Sequence, residues 1–179
     1  RVTSYGNLHI WGEVYNNTDD DVMWVNVSIS LFNSSGQLVD IAYTFVKFED
    51  MPAGEKSCFH LATSLPDDWA YFQFEPVDYD LCPWDVKWID ITIFDDYGTQ
   101  QDGNYKILGF ARNDHDSRVE AVRIEGTLYD AEGKVIGCGT GWPSNDDLDP
   151  GQTSPFKLDY WGDRPDVASY RLQTDGYSP

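Results

Sequence analysis

The 179-residue sequence repeats itself, and this constrains its fold more than any other feature. Sliding the chain by 97 residues lays Gly6 to Leu61 over Gly103 to Leu158 without a gap. Gly6, Asn7, Ile10, Gly12, Asn16, Asp19, Val22, Val25, Leu31, Gly36, Gly54, Ser57, Phe59 and Leu61 each meet their own kind. One further residue of offset then places Ala70 to Phe74 over Ala168 to Leu172. A period this long is not that of a solenoid, whose units share a continuous core, so each copy has to close a core of its own. The expected organisation is a first β sandwich over residues 1–79, a linker over 80–84 and a second β sandwich over 85–179. Pro83 and the aromatics of the linker predict a semi-rigid joint.

Within each copy the apolar residues alternate, as they do in a strand with one covered face. Val25, Val27, Ile29 and Leu31 point one way, while Asn26, Ser28 and Ser30 point the other. The second copy places Val122, Ile124, Gly126 and Leu128 on the same face. The strand before it carries Leu8, Ile10, Gly12 and Val14, recurring as Tyr105, Ile107, Gly109 and Ala111. Asn33 to Gly36 and Asp130 to Gly133 end in glycine, where a hairpin turn needs a positive φ. Met51 to Gly54 and Leu148 to Gly151 read as corners that tuck Met or Leu into the core. Strands over 56–61 and 153–158 follow, and strands over 69–77 and 167–173 close the units. A long strand from Val86 to Phe94 opens the second copy, where the first offers only Arg1 to Tyr5. Either a strand is trimmed away there or the first unit has a short edge.

The net charge of −19 comes from 31 acids against 12 bases, and 24 of the acids are Asp, a turn and strand-end residue. With 41% hydrophobic and 15% aromatic residues, the chain is too apolar for a disordered acidic tail. Its field repels phosphates and anionic lipid, so nucleic acid is excluded as the expected ligand and a charge-bound partner has to be cationic. No apolar run approaches the roughly 18 residues of a membrane helix, so no membrane insertion is expected. Arg1 opens the sequence without a basic n-region or apolar h-region, the expectation for a mature exported segment whose signal or anchor has been removed.

The ordered run Gly12-Glu13-Val14-Tyr15-Asn16-Asn17, Leu31-Phe32-Asn33, Gly36 and Met51-Pro52-Ala53-Gly54 resembles the FxLYD domain of bacterial and archaeal exported proteins. The second copy resembles it more fully, through Thr127-Leu128-Tyr129-Asp130, Gly133 and Leu148-Asp149-Pro150-Gly151, whereas the first has Leu-Phe-Asn for Leu-Tyr-Asp. The resemblance implies tandem immunoglobulin-like β sandwiches at the cell surface or outside the cell, and no catalytic residues. It gives Leu128, Tyr129 and Asp130 architectural roles.

The residues themselves carry little catalytic chemistry. His9, His60 and His115 are far apart in sequence and lack metal-ligand spacing. No G-x-S-x-G elbow occurs, and Gly137 to Gly141 do not form a phosphate loop. Among so many acids, carboxylate pairs arise by accident, so the expectation is not an enzyme. Two candidate sites remain. Calcium is the candidate cation at Asp19, Asp20 and Asp21, at Asp114 and Asp116, or at Asp95 and Asp96, because clustered hard oxygens suit it; no other cofactor is expected. Trp11, Trp24, Trp142 and Trp161 are the candidate platform for stacking a sugar, the alternative being core or rim packing. Of the three cysteines, Cys58 and Cys82 are the candidate disulfide, and Cys138 takes an apolar slot that reads as a buried thiol. The function expected is a non-catalytic structural or protein-interaction module, engaging an unknown protein partner or neighbouring domains, with glycan binding as the alternative.

Overall fold

The computed structural model describes residues 1–2, 6–83, 89–161, 164 and 166–177. The protein is all-β, with no helix among the described residues. It divides into two compact units, Arg1–Val86 and Lys87–Pro179. Trp84 of the expected linker and residues 85–88, where the second copy was expected to begin, lie outside the described residues.

The first unit contains β1 (Asn7–Tyr15), β2 (Val22–Asn33), β3 (Leu38–Phe45), β4 (Asp50–Met51), β5 (Lys56–Ser64), β6 (Trp69–Phe74) and β7 (Asp78–Leu81). β1 and β5 form one antiparallel sheet. β2 is the spine of the other: it pairs with β3 and β4, and also with β6 and β7. Alternation explains the core, since Val25, Val27, Ile29 and Leu31 of β2 are all buried and face Phe59 and Leu61 of β5. The ring of Phe59 meets that of Phe74 on β6 edge-on, at 6.4 Å between centroids, and so ties the two sheets together.

The second unit contains β8 (Thr92–Gln101), β9 (Asn104–Arg112), β10 (Glu120–Tyr129), β11 (Val135–Gly141), β12 (Thr153–Tyr160) and β13 (Ser169–Tyr177). Its sheets have the orders β8-β9-β12 and β11-β10-β13. In immunoglobulin lettering these are A-B-E facing C′-C-F, with the chain changing sheets after β9, β11 and β12. Ile107, Ala111, Val122, Ile124, Leu128, Phe156, Leu158 and Tyr160 form the shared interior. Gly126 shows how closely the sheets approach. A Cβ there would lie 2.1 Å from the Tyr160 hydroxyl and 2.6 Å from Leu158 Cδ1.

The same local devices occur in both units. Leu31 pairs with Phe72 and Leu128 with Tyr170, and each ladder between the spine and its hairpin partner shifts register immediately afterwards. Trp24 and Ala121 both have positive φ, 53° and 51°, inside bulges of β2 and β10. Asn16 is buried, with Nδ2 donating to the carbonyls of Asp20 and Met51 at 2.9 and 3.0 Å. Asn113 is buried likewise, with Nδ2 donating to Ser117 and Leu148 at 2.8 Å each. Asn33 Oδ1 accepts the Ser35 and Gln37 amides, and Asp130 Oδ1 those of Glu132 and Lys134. The tight turns that follow are completed by Gly36 and Gly133 at φ 76° and 77°.

Two boundaries differ from the sequence reading. The strand expected over 86–94 begins at Thr92 and runs to Gln101. Asp95-Asp96, a polar pair that reads as a terminus, is a bulge: Asp95 has φ 51° and the register shifts between Phe94 and Tyr97. The first part of the expected linker is strand, because β7 continues past the β2 bulge and pairs Asp80 with Met23 and Leu81 with Val22.

The cysteines also differ. Cys58 and Cys138 are the disulfide-bonded residues, while Cys82 keeps its thiol, so the Cys58–Cys82 bridge is not formed. Cys58 lies on β5 and Cys82 just beyond β7, in the other sheet of the first unit, where its amide donates to the Asp21 carbonyl at 2.9 Å. The apolar slot of Cys138 predicts a buried thiol, but the residue alternates on β11 with Gly137 and Gly139, which abut the core residues Leu128 and Tyr160, and therefore points to the opposite face.

Candidate functional site

Asp19, Asp20, Asp21, Asp114 and Asp116 lie in loops between strands, whereas Asp95 and Asp96 lie inside β8. In the first unit the Asp20 carbonyl accepts from Asn16 and Thr18, and Asp21 Oδ1 accepts the Ala53 amide at 3.0 Å. Asp19 lies in the same loop. In the second unit Asp114 is gripped by Arg112, at 2.6 and 3.0 Å, and by the Thr92 hydroxyl at 2.6 Å. These hydrogen bonds, Arg112 first, hold its carboxyl below the usual carboxylate range. Asp116 follows in that loop. Asp95 sits in the β8 bulge, and Asp96 Oδ2 accepts the Tyr170 hydroxyl at 2.7 Å. Burial, followed by this bond, pushes the Tyr170 phenol up. Among the described residues no three His, Cys, Asp or Glu side chains converge on a common point.

The four tryptophans occupy different settings. Trp11 is half-buried on β1 and stacks on His60 of β5, with centroids 4.9 Å apart and planes 7° apart. Trp24 stands on β2, in the other sheet of that unit, and is 47% exposed. Trp142, just after β11, and Trp161, just after β12, are exposed. Trp24 does gather neighbours from β3: its ring meets Phe45 at 6.3 Å and 78°, and Phe45 meets Tyr43 at 6.2 Å and 84°. These rings meet edge to face and do not share one plane.

Sequence reasoning missed two groupings. His9 and His60, 51 residues apart, come within 2.9 Å, Nδ1 to Nε2, and both stack with Trp11. Only the β1–β5 register, which sets Trp11 opposite His60, brings them together. The second grouping is the outward row Ile41, Tyr43 and Phe45 on β3, exposed by 56%, 66% and 43%. Its alternation with buried Ala42 is visible in the sequence, but which face lacks cover depends on the sheet order, in which β3 is an edge. The 97-residue counterparts are Cys138, Thr140 and Trp142, so the row belongs to the first unit alone.

No family model matches the chain, and no curated protein matches it. Among solved structures, the chain is similar to a red sea bream transglutaminase at 10% identity and a TM-score of 0.29, over 96% of this chain and 27% of that one.

Proposed function

We propose that the chain is a non-catalytic interaction module of an exported or cell-surface protein, built from two copies of an FxLYD-like immunoglobulin-type domain. The single observation that carries this reading is the Ile41-Tyr43-Phe45 row with Trp24 beside it, an apolar patch on an edge strand of a strongly acidic protein. A surface of this kind suits another protein, with aromatic anchors at its centre, and the net charge of −19 favours a basic partner. Two further features support an architectural module. The polar side chains of the repeated motifs, Asn16 and Asn113 or Asn33 and Asp130, are engaged in holding turns. The disulfide-bonded state of Cys58 and Cys138 suits an oxidising compartment.

The alternative is a glycan-binding module, favoured by the exposure of Trp24, Trp142 and Trp161. The edge-on packing of Trp24, Phe45 and Tyr43 favours a protein partner over a flat sugar face. The test is a photo-reactive residue at position 43 of the full-length protein on its native cell. The expected result is a discrete protein adduct that disappears with Ile41→Asp or Phe45→Asp. Retention on a glycan panel that Trp24→Ala abolishes, with no protein adduct, would transfer the assignment to sugar binding.

A further inference from the structure

The Ile41-Tyr43-Phe45 row stands on a strand whose outer edge is open, and the backbone of that edge can be traced residue by residue. The Val46 amide donates to the Val25 carbonyl of β2 at 3.1 Å, whereas the next amide, that of Lys47, donates the other way, to the Cys58 carbonyl of β5 at 2.9 Å. Residues of an antiparallel strand alternate in this manner. In the register of β3 on β2, the N–H and C=O groups of Ala42 and Thr44 therefore turn towards β2, and those of Ile41, Tyr43 and Phe45 turn away from it. By the same alternation the Asp40 amide faces β2 and the Val39 carbonyl faces outward. Lys47 marks the point where β5 closes the edge. Before it, no strand among the described residues pairs with β3 on that side.

Two observations bear on what this edge accepts. The Ile41 amide, the outward donor at the head of the row, is held at 2.8 Å by the carboxylate of exposed Asp40. A charge on an edge strand guards against indiscriminate pairing and favours a strand of opposite sign. The second unit supplies the comparison. Beside the equivalent bulge of β11, the Ile136 carbonyl accepts from Arg164 Nη1 at 2.7 Å. The residue aligned with Ile136 is Val39, and Asp40 stands where the second unit has Gly137. At the place of Arg164 the first unit has Pro66 or Asp67. The second unit thus meets this carbonyl with a guanidinium of its own chain, while the first has a carboxylate beside it and an acid or proline in place of the arginine.

We propose that an extended, arginine-bearing segment of a partner protein adds as a strand to the outer edge of β3, its backbone pairing with Tyr43 and its arginine seated between the Asp40 carboxylate and the Val39 carbonyl. This inference rests on the reading of the row as a protein-binding surface and adds the mode of binding and the chemistry of the partner. Main-chain hydrogen bonds supply affinity, alternate side chains of the added strand lie beside Ile41, Tyr43 and Phe45, and the charge-assisted bond to Asp40 fixes the register. A second copy of this chain is a poor occupant, because it brings a further net charge of −19 and a second Asp40 to the same edge.

The test uses the Arg1–Pro179 chain and three synthetic peptides of alternating valine and threonine: one flanked by arginine, one flanked by glutamate, and the arginine peptide N-methylated along its centre. At about 0.15 M salt, the arginine peptide should slow exchange of the Tyr43 and Phe45 amides at least tenfold. The glutamate peptide should bind at least tenfold more weakly, and the N-methylated peptide should not bind. Asp40→Asn keeps an acceptor for the Ile41 amide and removes one charge among 31 acids, so it should cut the preference for arginine over glutamate at least threefold. No protection by the arginine peptide at millimolar concentration, or equal binding of the N-methylated peptide, would show that no strand adds to β3. An unchanged preference in Asp40→Asn would overturn the arginine seat. Protection of Tyr43 that rises with protein concentration alone would give the edge to a second copy. Loss of strand addition with a persisting protein adduct at position 43 would leave the row a protein surface bound in another mode, whereas peptide protection without an adduct would overturn the underlying reading instead.

Discussion

At the scale of single residues, strain and charge give opposite tests of the second unit's β10 region. Ala121 has φ 51° in an exposed bulge, where an L side chain is disfavoured but the bulge demands the conformation. Ala121→Val adds a β-branched side chain in that region and is expected to cost about 1–2 kcal/mol in urea unfolding. Ala121→Gly should be neutral or raise stability by up to about 1 kcal/mol, the relief of strain being offset by a freer unfolded chain. The charged neighbours respond to pH. Asp147 accepts the Ala121 amide at 3.1 Å and pairs with Arg118 at 2.7 Å, and the amide bond is the first cause of its lowered pKa. Asp114 is lowered in the same direction by Arg112. A carboxyl whose pKa is depressed in the folded state binds its proton more weakly there than in the unfolded chain. Its contribution is therefore complete above the ordinary carboxylate pKa and is lost as pH falls through the depressed value. Melting temperatures measured down the acid limb should fall less steeply in Asp114→Asn and Asp147→Asn than in the parent, with Asp114→Asn showing the lower neutral-pH melting temperature.

At the scale of strands, one position shows how two versions of the same sandwich reach a filled interior. Ile29 of β2 is fully buried, and its counterpart in β10 is Gly126. The missing volume is returned from the opposite sheet, where Tyr160 stands at the place of Thr63 and lays its hydroxyl end over Gly126. Gly126→Ile alone should overpack the site and cost about 1–3 kcal/mol. Tyr160→Thr alone should leave a cavity and cost about 3 kcal/mol. The double variant should recover much of the loss, with a coupling of about 0.5–3 kcal/mol in a double-mutant cycle. Strict additivity would mean that the two residues do not share one space.

The same strands show what the sequence discloses. Period-two alternation was enough for β2, β10 and their hairpins, because each has one dry face and a turn whose Asn33 or Asp130 and glycine have a local physical purpose. It failed at β7 and at the second half of β8, where pairing continues across a bulge that local chemistry writes as a turn. The β1–β5 register sets His9 beside His60, and the strand order separates Cys58 from Cys82; neither follows from spacing along the chain.

For the molecule as a whole, the net charge of −19 is the governing quantity. Many of the bases are engaged locally: Arg112 with Asp114, Arg118 with Asp147, Asp149 and Glu120, Arg123 with Asp175, Lys106 with Asp102 and Lys157 with Asp159. Most of these pairs are exposed and individually weak, so the surplus of acids is left as a long-range repulsion that compaction has to overcome. Salt shortens that range, from about 30 Å at 0.01 M to a few ångströms near 1 M. Raising sodium chloride from 10 mM to 0.5 M should therefore raise the melting temperature, because relief of repulsion among many acids outweighs the weakening of a few pairs. Calcium chloride at matched ionic strength separates screening from coordination. Screening alone puts both salts on one curve, whereas a further rise saturating below millimolar calcium would require a specific site. Asp19 to Asp21 and Asp114 to Asp116 would then be the first positions to substitute, since those loops carry the densest carboxylates whose partners an ion could replace.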